Sequence, residues 1–578
     1  MTHIQQLITD HLDLWTSAET EKKSGRGRSS GNGDTVYGIK KLRELILELA
    51  VRGKLVPQDP NDEPASELLK RVQVEKARLV KEGKIKKEKA LPEIILDELP
   101  QNLPDGWTFV RLGDIAYSQA GFAFKSNCFN DSGNGLPLVR IRDVGQDFSG
   151  TYYDGEYRDE FVIDNGDYLI SMDGEFRVAT WKNNRALLNQ RVSRLIFFGN
   201  DVARAFVAES LQAKLRELQG VKAYTTVDHL SGGQISSAVI GLPPLAEQHR
   251  IVAKVDELMA LCDQLETQHN NATDAHEKLV THLLGTLTQS QNADDFAANW
   301  QRIAEHFDTL FTTEHSIDTL KQTLLQLAVM GKLVPQDPND EPASELLKRI
   351  QTEKAKLIAA GKIKKEKPLP PISDEEKPFE LPNGWAWARF PDLGEFGRGK
   401  SKHRPRNDPV LFEPGIYPLI QTGEVARAGT IIEEIHSKYS EIGLAQSRMW
   451  PKGTLCITIA ANIADSALLG FDACFPDSVV GFVPSSALSG ADYFLFFMKT
   501  ARETLLRFAP ATAQKNINLE ILGSVLIPLP PSNEQTRIIQ KGKELIDICD
   551  RLKSRITESS QFKQKLADAL VEQAVSAT

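Results

Sequence analysis

One glycine-spaced lysine is the first feature that could do chemistry. Gly394-Glu395-Phe396-Gly397-Arg398-Gly399-Lys400-Ser401 fits G-x-x-x-x-G-K-[ST], the spacing of a loop that cradles nucleotide phosphates. Such a loop follows a buried strand and opens a helix, whose first N–H groups hold the phosphates. Here Pro391 interrupts the segment before it, and Pro405 and Pro409 oppose a helix after it. The stretch reads better as a glycine-rich basic loop. Arg398, Lys400, Lys402, His403, Arg404 and Arg406 fall within nine residues. Cations that close together neutralise phosphates, and an arginine among them can bond a guanine edge. Two rival readings stand beside this one: a phosphate-loop NTPase using Gly394–Ser401, and a protein scaffold that never touches DNA.

Other reactive constellations are missing from the sequence. No Asn-Pro-Pro-Tyr or Asp-Pro-Pro-Tyr methyltransferase signature occurs, and the two Leu-Pro-Pro sites lack the amide or acid that would hold a target amino group. No HExxH or CxxC points to a metal, so neither catalytic nor metal-binding nor cofactor-binding residues are expected on this chain. Glu353 beside Lys354 and Lys356 is too common a helical pattern to mean a nuclease. Lone histidines such as His229 and His276 read as structural or solvent-facing. Five cysteines stand singly, which disfavours a disulfide framework and makes the cytoplasm the expected compartment. No apolar run approaches the roughly 18–20 residues that span a bilayer, and the N-terminus lacks a secretory pattern. A net charge of −9 gives no global support to nucleic-acid binding, so a DNA face must be local.

The elements that would position these residues are written twice. Residues 49–89 and 327–367 agree at 34 of 41 positions, 278 apart. Leu103-Pro104-Asp105-Gly106-Trp107 returns as Leu381-Pro382-Asn383-Gly384-Trp385 at the same offset. Pro137–Val144 faintly matches Pro418–Val425 at an offset of 281. Gly166–Ser171 matches Gly453–Thr458 at 287, which holds again at Leu242-Pro243-Pro244, Glu247-Gln248 and Arg250-Ile251. Each half thus has shared edges and a divergent middle, roughly 108–239 and 386–526. The edges read as helices. Pro64 opens one and Gly83 stops it. Ile251, Val255, Leu258, Cys262 and Leu265 then keep a heptad seam, as do Ile538, Leu545, Cys549, Leu552 and Ile556 with Gly542 at the one missing position. Two matching seams in one chain point to pairing with each other. The middles read as mixed α/β, with short β-rich runs such as YLISMDG and TLCITIAANI. Lys22–Gly33 reads as a flexible linker, and 84–103 and 362–381 as semi-rigid tethers.

Two divergent segments, each opened by LP(D/N)GW and closed by I-x-LPP-x-x-EQ-x-RI before a heptad helix, resemble the specificity subunits of type I restriction–modification systems. The KLVPQDPNDEPASELLK element resembles the subgroup with an extended N-terminal helical region. The resemblance implies two mixed α/β target-recognition domains joined by long, paired coiled-coil helices in a pseudo-two-fold arrangement. Their expected extents are an N-terminal helical region at 1–102, recognition domains at 103–245 and 381–532, a central helical region at 246–380 and a C-terminal helix at 533–578. It implies a subunit that is not itself an enzyme. Each domain would read one half of a split double-stranded DNA site, and the helices would set the spacing. The helices would also dock two modification (methyltransferase) subunits carrying S-adenosylmethionine, and the complex would recruit two restriction (motor–nuclease) subunits using ATP and Mg. In the first domain Lys125, Arg140, Arg142, Arg177, Lys182, Arg185 and Arg191 are the candidate DNA contacts. In the second, Gln421 and Thr422 fall opposite Arg140 and Ile141. If these positions face DNA, Arg to Gln shifts preference from guanine toward adenine.

Overall fold

In a computed structural model, the chain is described over residues 8–17, 36–85, 91–95, 103–222, 229–361, 363, 369–403, 405–460, 463–507 and 517–576. Lys22–Gly33 lies outside the described residues, as does most of the Lys-rich part of each tether. The chain divides into two compact units, Met1–Ala272 with Ser559–Thr578, and Thr273–Glu558.

The repeated sentence is an elbow followed by a helix, Ala65–Lys81 in the first unit and Ala343–Ala359 in the second. Each helix stops at a glycine with positive φ, Gly83 at +70° and Gly361 at +69°. Its N-terminus is satisfied from outside. The Ala65 N–H donates to Gly106 O at 2.9 Å, and the Ala343 N–H to Gly384 O at 2.8 Å. The turn LP(D/N)GW therefore caps the repeat helix, which explains why two sequence features about 40 residues apart recur together.

A buried carboxylate ties the remaining motifs to that turn. Glu247 accepts from Trp107 Nε1 at 3.0 Å and from Gln58 Nε2 at 3.2 Å. Glu534 accepts from Trp385 Nε1 at 3.0 Å and from Gln336 Nε2 at 3.1 Å. Gln58 also donates to Gly53 O, and Gln336 to Gly331 O, each at 2.6 Å. Beside the carboxylate, Arg250 pairs with Asp62 and Arg537 with Asp340, at 2.7 and 2.6 Å. Gln248 and Gln535 donate to the carbonyls of Pro243 and Pro530. Burial pushes the pKa of both glutamates up, and the bonds from glutamine and tryptophan oppose that shift. Gly53 and Gly331 are required here. Their φ is +69°, and a Cβ would fall 2.6 Å from the Pro104 or Pro382 ring.

The opening and closing strands of each middle zip together. Thr108–Arg111 pairs antiparallel with Val239–Leu242, and Ala386–Ala388 with Ile527–Leu529. Lys76 on the repeat helix donates to Gly113 O at 2.6 Å, and Lys354 likewise donates to Pro391 O. Arg111 and Arg389 hold the carbonyls of Pro92 and Pro370, which pins the described part of each tether. Glu353 accepts from Ser485 and Ser486, so the E-x-K pattern braces a domain.

Between these edges stands a two-sheet α/β domain. The first carries an antiparallel sheet of 116–120, 192–197, 168–171 and 178–180, and a second sheet of 129–130, 152–153, 136–139, 186–188 and 162–163. Leu136–Val139 and Ala186–Leu188 run parallel. The domain of the second unit repeats this with sheets of 394–398, 479–484, 455–458, 466–469 and 431–432, and of 437–439, 417–419, 473–474 and 449–450. There Tyr417–Leu419 runs parallel to Ala473–Cys474.

Two helices of 45 residues follow the domains, Leu245–Gln289 and Ser532–Ser576. At 1.5 Å per residue each is about 68 Å long. The seams do not take the partner that their matching suggests. Ile251, Val255, Leu258 and Cys262 are buried in the first unit with Ile39, Leu42 and Ile46 of helix Tyr37–Val51, and with Ala567 and Ala574. Cys549, with Leu545, Leu552 and Ile556 packed on, is buried in the second unit with Leu320 and Leu324 of helix Glu314–Val329, and with Val280, Leu284 and Leu287. Each seam thus meets the helix before the repeat and the far end of the other long helix. Charged pairs fix the register: Arg43 with Asp263 at 2.6 Å, and at the equivalent place Lys321 with Asp550 at 2.5 Å. Gly542 gains an explanation. A Cβ there would lie 2.5 Å from the Phe496 ring, so the second unit fills with Phe496 the space that Val255 takes in the first. No described helix is long and apolar enough to cross a membrane.

Truncating Glu247 to Ala strands the buried Trp107 donor and removes one acceptor from Gln58; it is expected to cost about 1–3 kcal/mol, more than Glu247→Gln. The urea transition followed by tryptophan fluorescence checks this. Phe496 has Glu209 as its counterpart in the first unit, where burial raises the carboxyl pKa to about 7, with Asp256 adding to the shift. A raised carboxyl pKa means that ionisation opposes folding. The cost is absent below the ordinary value of 4.5 and complete above about 7. Glu209→Gln should therefore raise Tm more at pH 8 than at pH 5, by about 2–4 °C for each kcal/mol relieved. Equal increments at the two pH values would refute the assignment.

Candidate nucleic-acid interface

The residues that follow one parallel strand pair in each domain, Leu136–Val139 with Ala186–Leu188 and Tyr417–Leu419 with Ala473–Cys474, come together at its C-terminal end. In the second domain Ile420 N donates to Cys474 O at 2.8 Å, and Lys400 N donates to Phe475 O at 3.2 Å. Gln421 and Lys400 therefore flank two consecutive peptide units. In the first domain Asn189 N donates to Val139 O at 3.2 Å, which sets Arg140 beside the end of the neighbouring strand. Arg140 and Gln421 do the same structural job. Each precedes a short helical turn and donates its N–H to the carboxylate three residues on, Asp143 at 2.7 Å and Glu424 at 3.0 Å. Thr422 is the first residue of the second turn. The faint 281-residue match is thus a real equivalence.

The phosphate-loop reading fails on geometry. Gly394–Arg398 is itself a strand, paired residue by residue with Val480–Pro484. Gly399 N then donates to Val479 O at 2.9 Å. The backbone amides that would cradle phosphates are spent on the sheet, and the next helical element is the short turn Pro409–Leu411. Gly399 is glycine because a Cβ would sit 2.2 Å from Phe475 O.

The basic loop is folded back, not splayed out. Arg398 Nε donates to Asp477 O at 3.0 Å, and Arg406 makes a forked pair with the Asp477 carboxylate at 3.0 Å. The Lys402 and His403 N–H groups both donate to Gln446 Oε1, at 2.6 and 3.2 Å. His403 Nε2 lies 2.8 Å from Asp408 and holds that carboxyl below its ordinary pKa. The Lys400 and Lys402 side chains are exposed. Arg404 lies outside the described residues.

In the first domain the candidates are spread more widely. Lys125 and Lys182 are exposed. Arg142 donates to Ser149 and Thr151 at 3.0 and 3.3 Å, which braces the turn after Arg140. Arg177 is held by Glu175 at 3.1 Å. Arg185 stands 3.8 Å from Asp159. Arg191 pairs with Asp173 at 2.7 Å, and the same aspartate holds His229 at 2.5 Å. Two cations escaped the sequence reading. Arg158 lies over the Phe122 and Phe161 rings at 5.2 and 4.9 Å, and Arg448 over Trp450 at 4.0 Å. Neither belongs to a basic cluster, so no composition signal marks them; only the aromatic partner does.

Known proteins match this chain over nearly its whole length. The sequence model of the type I restriction modification DNA specificity domain matches residues 104–273 and 382–559. The EcoAI specificity subunit of a type I restriction enzyme from Escherichia coli is 41% identical, over 99% of this chain and 100% of its own length. The EcoEI specificity subunit, also from Escherichia coli, is 40% identical over the same shares. A solved HsdS subunit from Thermoanaerobacter tengcongensis is 17% identical over 82% of this chain and 98% of its own, with a TM-score of 0.38.

Lys400→Ala is expected to leave the melting temperature unchanged, whereas Gly399→Ala lowers it by the equivalent of about 1–3 kcal/mol of overpacking. Thermal melts of the two variants separate a strand-end glycine from a phosphate loop.

Proposed function

We infer the working of this chain from one premise: it belongs to the specificity subunits of type I restriction–modification systems, the non-catalytic DNA-recognition members of those enzymes. Within that role, each α/β domain reads one half of a split, asymmetric duplex site. The face that meets DNA in each domain is the C-terminal end of the parallel strand pair. The observation that carries this reading is the contrast between frame and contents. The hydrogen bonds around Glu247 recur one for one around Glu534, while the residues at the strand ends change from Arg140 to Gln421 and from an acidic-paired scatter to a basic loop. A duplicated frame with unlike tips suits two different half-sites held at fixed spacing.

The 45-residue helices set that spacing. The near-identical faces of helices Ala65–Lys81 and Ala343–Ala359 offer two equivalent docking surfaces for two modification subunits. The assembly directs adenine methylation, or restriction when the motor–nuclease subunits are present. S-adenosylmethionine belongs to the modification subunit, and ATP and Mg to the restriction subunit. Phosphate contacts from Lys402 and its basic neighbours supply a salt-dependent share of affinity.

Replacing residues 386–526 with another variable segment, in the complex reconstituted with modification subunits, is expected to change one half of the recognised site and leave the other intact. Selection from a randomised duplex pool reads the outcome. Loss of both halves would refute the modular reading. Equal affinity for random and selected duplexes before any exchange would leave a scaffold without DNA specificity.

A further inference from the structure

We propose that Phe122 is a base-contacting residue of the first domain and that Lys400 holds the same position in the second. This rests on the reading that each domain meets one half-site. The equivalence of the two positions is built by main-chain bonds. Gly121 N donates to Val192 O and Phe122 N to Leu188 O, both at 2.9 Å. Gly399 N donates to Val479 O at 2.9 Å and Lys400 N to Phe475 O at 3.2 Å. The donors lie 278 residues apart and the acceptors 287, the two offsets of the shared frame. Gly121 also lacks room for a Cβ, which would lie 2.2 Å from Asn189 O, as Gly399 does against Phe475 O. The residue after the glycine is therefore held in one place in both domains while its side chain differs.

That place adjoins the position already assigned to reading. Leu188 O receives the Phe122 N–H, and the next residue, Asn189, donates to Val139 O just before Arg140. Phe122 and Arg140 thus sit at the end of one strand pair, as Lys400 and Gln421 do in the other domain.

The Phe122 side chain is partly open to solvent. The residue is 40% exposed, and its ring packs edge-on to that of buried Phe124 at 5.3 Å. Among the described residues of 103–245, the exposed large apolar side chains are Phe122 and Tyr157, the latter 45% exposed. Arg158 is the chain neighbour of Tyr157 and lies over the Phe122 ring at 5.2 Å, with the Phe161 ring 5.1 Å from that of Phe122. Exposed Lys125 follows three residues later. An apolar ring kept in water among cations suits a polyanion that also offers an apolar edge, and duplex DNA does so through the thymine methyl group in its major groove. An ammonium group at the same position donates to the O6 and N7 of guanine instead. One anchored position then supplies an apolar reading in one domain and a polar one in the other.

The test uses the full chain in complex with its modification subunits, challenged with a randomised duplex pool. Phe122→Lys is expected to change the preferred base at one position of one half-site by tenfold or more, and to leave the other half-site and the melting temperature unchanged. Phe122→Ala is expected to relax preference at that same position without altering the slope of affinity against salt, since no phosphate contact is lost. A selected site identical for wild type and Phe122→Lys would overturn the proposal. So would a fall in melting temperature with unchanged base preference, which would make the ring only a packing partner of Phe124 and Phe161. If the wild-type complex selects no sequence at all, the half-site reading itself fails, and the two failures are thereby told apart.

Discussion

A single buried carboxylate in each unit carries the rest of the architecture. Glu247 and Glu534 sit where water is excluded, and an ionised group there is tolerated only if its lone pairs are filled. The donors come from two distant stretches of chain, the repeated elbow (Gln58, Gln336) and the turn that opens the domain (Trp107, Trp385). The carboxylate itself begins the long helix that follows the domain. Entry, exit and elbow are thus locked together at one point. Everything between entry and exit is then a loop whose ends are already closed, so its sequence can change without loosening the frame.

That arrangement accounts for the pattern of divergence. Within the frame, changes between the units occur as compensated exchanges. Arg43 with Asp263 becomes Lys321 with Asp550, which keeps the charge pair. Val255 becomes Gly542 where Phe496 claims the volume. Beyond the frame, what persists is backbone: the glycine that lets a strand pass under neighbouring carbonyls, and the carboxylate that caps the turn after the parallel strand. Side chains aimed outward from those fixed points are free to differ, and differ they do.

Much of this was legible in the sequence. The duplication, the α/β middles and the helix stop at Gly83 follow from offsets, period and punctuation, and the long closing helices from the family resemblance. The equivalence of Arg140 with Gln421 was visible only faintly, because its cause is a cap made by Asp143 and Glu424 and not a run of like residues. The long helices do pack on each other, but each seam meets the far end of the other helix and not the other seam. Heptad spacing tells which face is apolar but not which of several apolar faces will cover it. The motif at Gly394–Ser401 matches a phosphate loop in spacing only, and its flanking prolines already argue against one. Its glycines serve close backbone packing, and spacing alone cannot separate that use from phosphate binding. The placement of Arg404 lies outside the described residues.

By itself the sequence determined the frame, because a frame copied almost letter for letter announces its own boundaries. Only the tertiary structure decided which outward-facing residues stand at corresponding points. Phe122 and Lys400 share no chemistry and fall in a region where alignment fades. Their correspondence lives in hydrogen bonds between backbone groups, which every residue type supplies, so its trace in residue identity is confined to the glycine before each, Gly121 and Gly399.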